Sequence, residues 1–142
     1  MKLAARNKFS GIVNDIERGR VVSKVSVMLK NGEIIKSIIT TEAVESLKLE
    51  VGRDVFVIIK ATDVMLGVPE ENDAPSLSAR NIMKGTVKAV TEHNINSIVK
   101  VDVGGLTFTS FITTEALKEL GIKEGMEIFV IVKASNVIIS IQ

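Results

Sequence analysis

The 142-residue chain has no cysteine, tryptophan or tyrosine, one histidine and two prolines. Without cysteine there are no disulfides, thiolate nucleophiles or zinc-thiolate sites, a composition compatible with the cytoplasm. With His93 alone, no Ser-His or Cys-His pair can be built twice in a duplicated chain, so no catalytic residue is expected. Clusters with metal-ligand spacing are missing, as is any Gly-x-Gly-x-x-Gly or Walker-type run; neither a cation centre nor nucleotide hydrolysis is expected. Charge of one sign is also lacking. Lys and Arg number 18 against 17 Asp and Glu, a net charge of +1, so no global basic field invites nucleic acid or an anionic membrane, and any anion site must be local. The longest apolar runs, Val55 to Ile59 and Ile128 to Val132, fall far short of the roughly 20 residues a membrane helix needs. Lys2, Arg6 and Lys8 near the amino terminus are not followed by an apolar stretch of signal-peptide length. A soluble, cytoplasmic protein without nucleic-acid or membrane partners is the expectation.

What the chain does have is itself twice. Leu3-Ala4-Ala5-Arg6-Asn7 returns as Leu77-Ser78-Ala79-Arg80-Asn81, each followed four residues after the Asn by a glycine, Gly11 or Gly85. Ile39-Thr40-Thr41-Glu42-Ala43 matches Ile112-Thr113-Thr114-Glu115-Ala116, and Phe56 to Thr62 matches Phe129 to Ser135. Ordered matches over most of each half cannot come from composition; they mark an internal duplication. This predicts a first domain over 1–67, a linker over 68–76 containing Pro69, Pro75, Glu70, Glu71 and Asp73, and a second domain over 77–142. Units this small bury a limited fraction of their surface. With 46% hydrophobic residues, the surplus is expected to be covered between repeats and between subunits, which makes a homo-oligomer the default.

Within the first copy, apolar and polar residues alternate from Phe9 to Ile16 and again through Val21, Val25 and Val27, which predicts two strands joined near Gly19. Asn31-Gly32 between β-like runs predicts a type I′ hairpin with positive φ at both residues. Ala43, Val44 and Leu47 share one face at helical spacing, with a threonine available to cap the helix and Glu42 in its first turn. Val55 to Ile59 reads as a buried strand. The second copy repeats this plan with one residue missing at its Gly104-Gly105 hairpin, where the offset between copies falls from 74 to 73. His93 has Gly19 as its counterpart and reads as an exposed turn residue. Five short strands and one short helix per copy predict a mainly β fold of two tandem OB-like barrels.

Both copies carry donors suited to an anion: Arg6 and Arg80, Lys60 and Lys133, the hydroxyls of Thr62, Ser78 and Ser135, and the amides of Asn7 and Asn81. A tetrahedral oxyanion offers only acceptors, so its site needs N–H and O–H donors and one or two cations. Small neighbours such as Ala5, Ala79, Ala61 and Ala134 allow backbone N–H groups to approach. On the residues alone the plainer reading comes first, surface charges at strand ends and alanines that merely pack, since such residues are common at those places.

Ser78 to Asn81, the Ile112 to Ala116 helix start and Lys133-Ala134-Ser135-Asn136-Val137, in that order within one repeat, resemble the Mop, or TOBE-type, domain of molbindins. Ala5-Arg6-Asn7, Ile39 to Ala43 and Lys60-Ala61-Thr62 carry the same resemblance in the first repeat. The resemblance, covering nearly all of the chain outside the linker, is to a di-Mop molbindin. It implies a cytoplasmic, non-catalytic protein that binds molybdate, and tungstate similarly, for molybdenum storage and homeostasis. It also implies a trimer, with sites at domain and subunit interfaces and no organic cofactor. On the matching positions Ser78, Arg80, Lys133 and Ser135 would donate to the ion, with backbone N–H groups of Ala79 and Ala134; Arg6, Lys60 and Thr62 would serve the first repeat. Ala4 stands where the family motif has serine, so that site lacks one hydroxyl. A further axial site in the family is associated with a Val-Asn pair, which Ile95-Asn96 resembles, whereas Val21-Val22 has no amide. Two alternatives remain from the sequence. A regulatory partner module would have to act through another protein, since helix-turn-helix and ATPase motifs are absent. Nucleic-acid binding on an OB surface would need aromatic platforms, yet Phe9, Phe56, Phe108, Phe111 and Phe129 mostly follow strand-core patterns.

Overall fold

The alternation that begins at Phe9 becomes β1 (Asn7–Arg18), in which Asn7, Phe9, Gly11 and Val13 point inward and Lys8, Ile12 and Asn14 outward. A computed structural model describes residues 3–70, 77–78 and 81–141 of the chain. In it β1 pairs along its first half with β4 (Asp54–Ile59) and along its second half with β2 (Val22–Leu29). A bulge between Val13 and Asp15 bends the strand so that it can serve both neighbours. Gly11 lies where the two strands press together: a Cβ there would sit 2.5 Å from Val27 Cγ1 and 2.8 Å from the Met28 carbonyl oxygen. The glycine found in both copies is thus a packing requirement. β3 (Ile34–Thr40) follows β2, and α1 (Thr41–Ser46) leads toward β4. Thr40 is the capping threonine, its Oγ1 accepting from the Ala43 N–H at 3.1 Å.

After β4 come a single 3₁₀ turn, Ala61–Asp63, and the short β5 (Met65–Gly67). The second copy then gives β6 (Asn81–Glu92), β7 (Asn96–Val103), β8 (Leu106–Thr113), α2 (Thr114–Glu119) and β9 (Glu127–Val132). It ends with a matching 3₁₀ turn, Ala134–Asn136, and β10 (Ile138–Ile141). β6 carries the same bulge, between Val87 and Ala89.

The two β2–β3-type hairpins differ, and the difference accounts for the missing residue. In the first-copy hairpin Gly32 has positive φ, at 87°, and Asn31 does not. The Gly32 N–H donates to the Leu29 carbonyl at 3.0 Å and the Leu29 N–H to the Glu33 carbonyl at 2.9 Å. This is a three-residue loop, Lys30-Asn31-Gly32, and not the type I′ turn expected from Asn-Gly. Asn31 contributes through its side chain instead, its Oδ1 accepting from the Glu33 N–H at 3.0 Å. In the second copy Val103 pairs directly with Leu106, and Gly104 and Gly105 both have positive φ, at 56° and 93°. That is the two-residue loop, one residue shorter.

The sheets do not follow the repeats. One sheet has the order β10-β4-β1-β2-β3 and the other β5-β9-β6-β7-β8. β10 pairs with β4 from Ile138↔Ile58 to Ile141↔Val55, and β5 pairs with β9 from Met65↔Ile131 to Gly67↔Phe129. Each repeat therefore gives its last strand to the other's sheet. The first compact unit holds the chain up to Ile59 together with the residues from Lys133 onward, and the second holds Lys60–Val132. The sequence division at 1–67, 68–76 and 77–142 counts repeats; the compact units cut across it. Each unit is an antiparallel, OB-like five-stranded sheet with one short helix. The first is filled by Val13, Val25, Val27, Ile35, Val44, Val55, Val57 and Ile59, the second by Val87, Val99, Val101, Phe108, Ile128, Val130 and Val132, all buried. Phe9 and Phe108 are core residues, while Phe56, Phe111 and Phe129 are half-buried.

Candidate functional site

The ladder between β1 and β4 ends where Asn7 pairs with Ile59. The next residues along the chain are Arg6 before β1 and Lys60 after β4. The ladder between β6 and β9 ends in the same way at Asn81↔Val132, followed by Lys133. Ala79 and Arg80 lie outside the described residues; Ser78 is exposed.

Lys60 and Lys133 adopt nearly the same extended backbone, with φ −66° and ψ 140° for one and φ −66° and ψ 135° for the other. Each heads a 3₁₀ turn, closed by the Asp63 N–H donating to the Lys60 carbonyl at 2.9 Å and by the Asn136 N–H donating to the Lys133 carbonyl at 2.9 Å. Such turns leave their first N–H groups without a partner inside the turn, here those of Ala61 and Thr62 and of Ala134 and Ser135. Thr62 and Ser135 expose their hydroxyls, while Ala61 is half-buried and Ala134 buried. The alanines keep the turns against the protein and the hydroxyls face out.

Arg6, Lys60 and Lys133 are exposed, and none of them has an ion pair among the described residues. The ion pairs present lie elsewhere, Lys24 to Glu17 at 3.0 Å and Lys84 to Glu127 at 3.5 Å. Exposed cations without an ion pair among the described residues, on turns whose first N–H groups have no partner inside the turn, form an environment for an anion. The asparagines are placed differently from the rest of the donor set. Asn7 and Asn81 are the first residues of β1 and β6 and are 0% and 2% exposed. Ala5 is half-buried. Among the described residues no group of three or more His, Asp or Glu could hold a metal ion.

Asn96 opens β7 opposite Thr113, next to Ile95, which is 73% exposed; its first-copy counterpart, Val22, opens β2 opposite Thr40 and is also exposed. The turns before these residues are pinned by a network that no motif suggested. The Thr114 hydroxyl donates to the His93 carbonyl at 2.6 Å and lies 2.7 Å from Ser97 Oγ. The Thr41 hydroxyl donates to the Gly19 carbonyl at 2.8 Å and lies 2.7 Å from Ser23 Oγ. His93 itself is exposed in its turn. Two further serines were also unmarked in the sequence, Ser37 on β3 and Ser110 on β8, both fully buried beside the 3₁₀ turns. The available signal was their recurrence at offset 73, each two residues after a core residue of its strand, Ile35 or Phe108.

Comparison with known proteins bears on both copies. The TOBE domain matches residues 3–66 and again 77–139. The chain is 33% identical over 143 residues to the molybdenum transport protein ModE of Herbaspirillum seropedicae, covering 100% of this chain but 52% of that relative; it thus spans about half of ModE. A probable molybdenum-pterin-binding protein of Haemophilus influenzae, covered over 99% of its length, is 44% identical over 68 residues, or 48% of this chain. Among solved structures, the cytoplasmic molybdate-binding protein ModG with molybdate bound superposes with a TM-score of 0.93 at 38% identity, each chain covered completely. The same domain in both halves, and a full-length structural counterpart, place this chain in the TOBE-domain family as a di-Mop, molbindin-type member.

Proposed function

We propose that this chain is a cytoplasmic binding protein, not an enzyme, that takes up molybdate, and tungstate similarly, for molybdenum homeostasis. The observation that carries the reading is the end-to-end similarity to molybdate-bound ModG, read together with the exposed Arg6, Lys60 and Lys133, which have no ion pair among the described residues, and the 3₁₀ turns that Lys60 and Lys133 head. The ion would be held by Arg6, Lys60 and Thr62 with backbone N–H groups of Ala61 in one site. In the other, Ser78, Arg80, Lys133 and Ser135 would act with those of Ala79 and Ala134. Asn7 and Asn81, buried at the strand starts, would complete the donor set. Asn96 would serve an axial site.

Binding moves a dianion out of water into preformed donors. It needs no covalent step, and no organic cofactor is called for. Selectivity over sulfate follows from size, since the larger ion suits longer donor distances. The assembly we propose is a homotrimer, supported by apolar residues exposed at equivalent turns, Val21 at 72% and Ile95 at 73%, and by Leu3, Ile138 and Ile141. Calorimetric titration with molybdate, tungstate and sulfate is the test. Heat and saturation with the first two, and weak or absent binding of sulfate, are expected; equal affinity for sulfate refutes the reading. Similarity to ModE over half of that protein's length supports a second reading, a ligand-sensing module that acts through a partner, which a pull-down with and without molybdate would reveal.

A further inference from the structure

Each 3₁₀ turn that carries a Lys-Ala-Ser or Lys-Ala-Thr run is held at its far end by a serine from a sheet built mainly of the other repeat. The Ser37 hydroxyl on β3 donates to the Val137 carbonyl at 2.7 Å, and the Ser110 hydroxyl on β8 donates to the Val64 carbonyl at 2.6 Å. Both serines are 0% exposed, and Val64 and Val137 are each 2% exposed. Carbonyls desolvated to that degree need a donor, and a hydroxyl is the side-chain group that fits a tight apolar wall. Val137 and Val64 are also the residues that stop the turns, their N–H groups donating back to the Ala134 and Ala61 carbonyls at 3.3 and 3.4 Å. The serine bond and the turn-closing bond therefore meet on one peptide-linked residue, two positions beyond Ser135 or Thr62.

We infer that Ser37 and Ser110 are positioning residues for oxyanion binding: Ser37 sets the turn of Lys133, Ala134 and Ser135, and Ser110 sets the turn of Lys60, Ala61 and Thr62. This rests on the molybdate reading above. It assigns the aim of each binding turn to a residue that never touches the ion. Because of the strand exchange, each turn answers to the strand of the opposite repeat.

The test is molybdate calorimetry on the full-length protein. Ser37→Ala should weaken uptake roughly threefold to tenfold, the range of one lost intramolecular hydrogen bond. That loss should shrink when Lys133→Ala is already present, since only the Ala134 and Ser135 donors of that turn remain to be misplaced, and persist in full beside Lys60→Ala. Ser110→Ala should show the reverse pattern. A serine that merely closes its sheet would lower thermal stability and cost the same uptake in both backgrounds, and that result overturns the inference. Ser37→Cys keeps the volume and a weak S–H donor, and is measured in case the alanine variant does not fold; an intermediate loss with the same background dependence is expected, and parental affinity counts against the role. If the parent protein takes up no molybdate, the functional reading itself fails and this inference with it. If the parent binds while the serine variants match it, only the inference fails.

Discussion

The two helix ends offer an internal comparison that the duplication makes unusually clean. In both copies the helix stops with the same pair of bonds. The Leu49 N–H donates to the Val44 carbonyl and the Lys48 N–H to the Glu45 carbonyl, each at 3.0 Å, while the Ile122 N–H donates to the Leu117 carbonyl and the Gly121 N–H to the Lys118 carbonyl, each at 3.1 Å. This is a Schellman ending, with Leu49 and Val44 buried in one copy and Ile122 and Leu117 in the other. Its penultimate residue must take positive φ. That residue is Gly121 at 63° in the second copy and Lys48 at 52° in the first, where an L side chain costs about 1–2 kcal/mol. Lys48→Gly removes that cost and adds about 0.5–1 kcal/mol of unfolded-state entropy, so a net stabilisation of about 0.5–1 kcal/mol is expected. Nothing lies within 4 Å of a Cβ built at Gly121, so Gly121→Ala should cost about the same amount in the opposite direction, through backbone torsion alone. The Arg53 guanidinium donates to the Lys48 carbonyl at 3.0 Å, a main-chain bond that Lys48→Gly leaves in place. Thermal unfolding at fixed protein concentration should show shifts of roughly 2–4 °C, upward for Lys48→Gly and downward for Gly121→Ala. A fall for Lys48→Gly, or no change for Gly121→Ala, would refute the argument.

Gly85→Ala should destabilise by about 1–3 kcal/mol, because its Cβ would stand 2.6 Å from the Asp102 carbonyl oxygen and 2.7 Å from Val101 Cγ1; chemical denaturation with an unchanged parental midpoint would contradict this. Lys133→Ala and Lys60→Ala should each weaken molybdate binding about tenfold or more, from loss of a charge-assisted hydrogen bond of about 1.5–3 kcal/mol, and parental titration curves would exclude the lysines from the site. A protease site placed within residues 71–76 and cut should leave two fragments that co-elute on gel filtration until denaturant is added, since β5 and β10 each belong to the sheet of the other fragment; separation in native buffer would falsify the exchange.

Much of this architecture was legible beforehand, for identifiable reasons. The duplication fixes the order of elements, and the threonines that cap α1 and α2 are visible because capping needs an oxygen at one position before an apolar helical face. The hairpin types were only half legible: the dipeptide Asn31-Gly32 suits a two-residue turn, but an extra residue before it lets the chain choose a loop with a single positive φ. The strand exchange was not legible at all. Met65–Gly67 and Ile138–Ile141 are equivalent segments meeting equivalent partner strands, so closing at home or in exchange offers the same side-chain contacts, and pattern arguments that see only those contacts are blind to the choice. The site was found through doubled motifs. Polarity alone could not separate Asn7 and Asn81, which are buried at strand starts, from the exposed Arg6, Lys60 and Lys133, nor mark serines whose partners are main-chain atoms of the opposite repeat.

The exchanged strands also tie together the histories of the two halves. After a duplication, one copy is ordinarily at liberty to decay or to specialise while its twin preserves the original task. Here a damaging change in β10 opens the sheet led by β1, and a damaging change in β5 opens the one led by β6. Neither half can be relieved of selection by the existence of the other, because each sheet is built from strands of both.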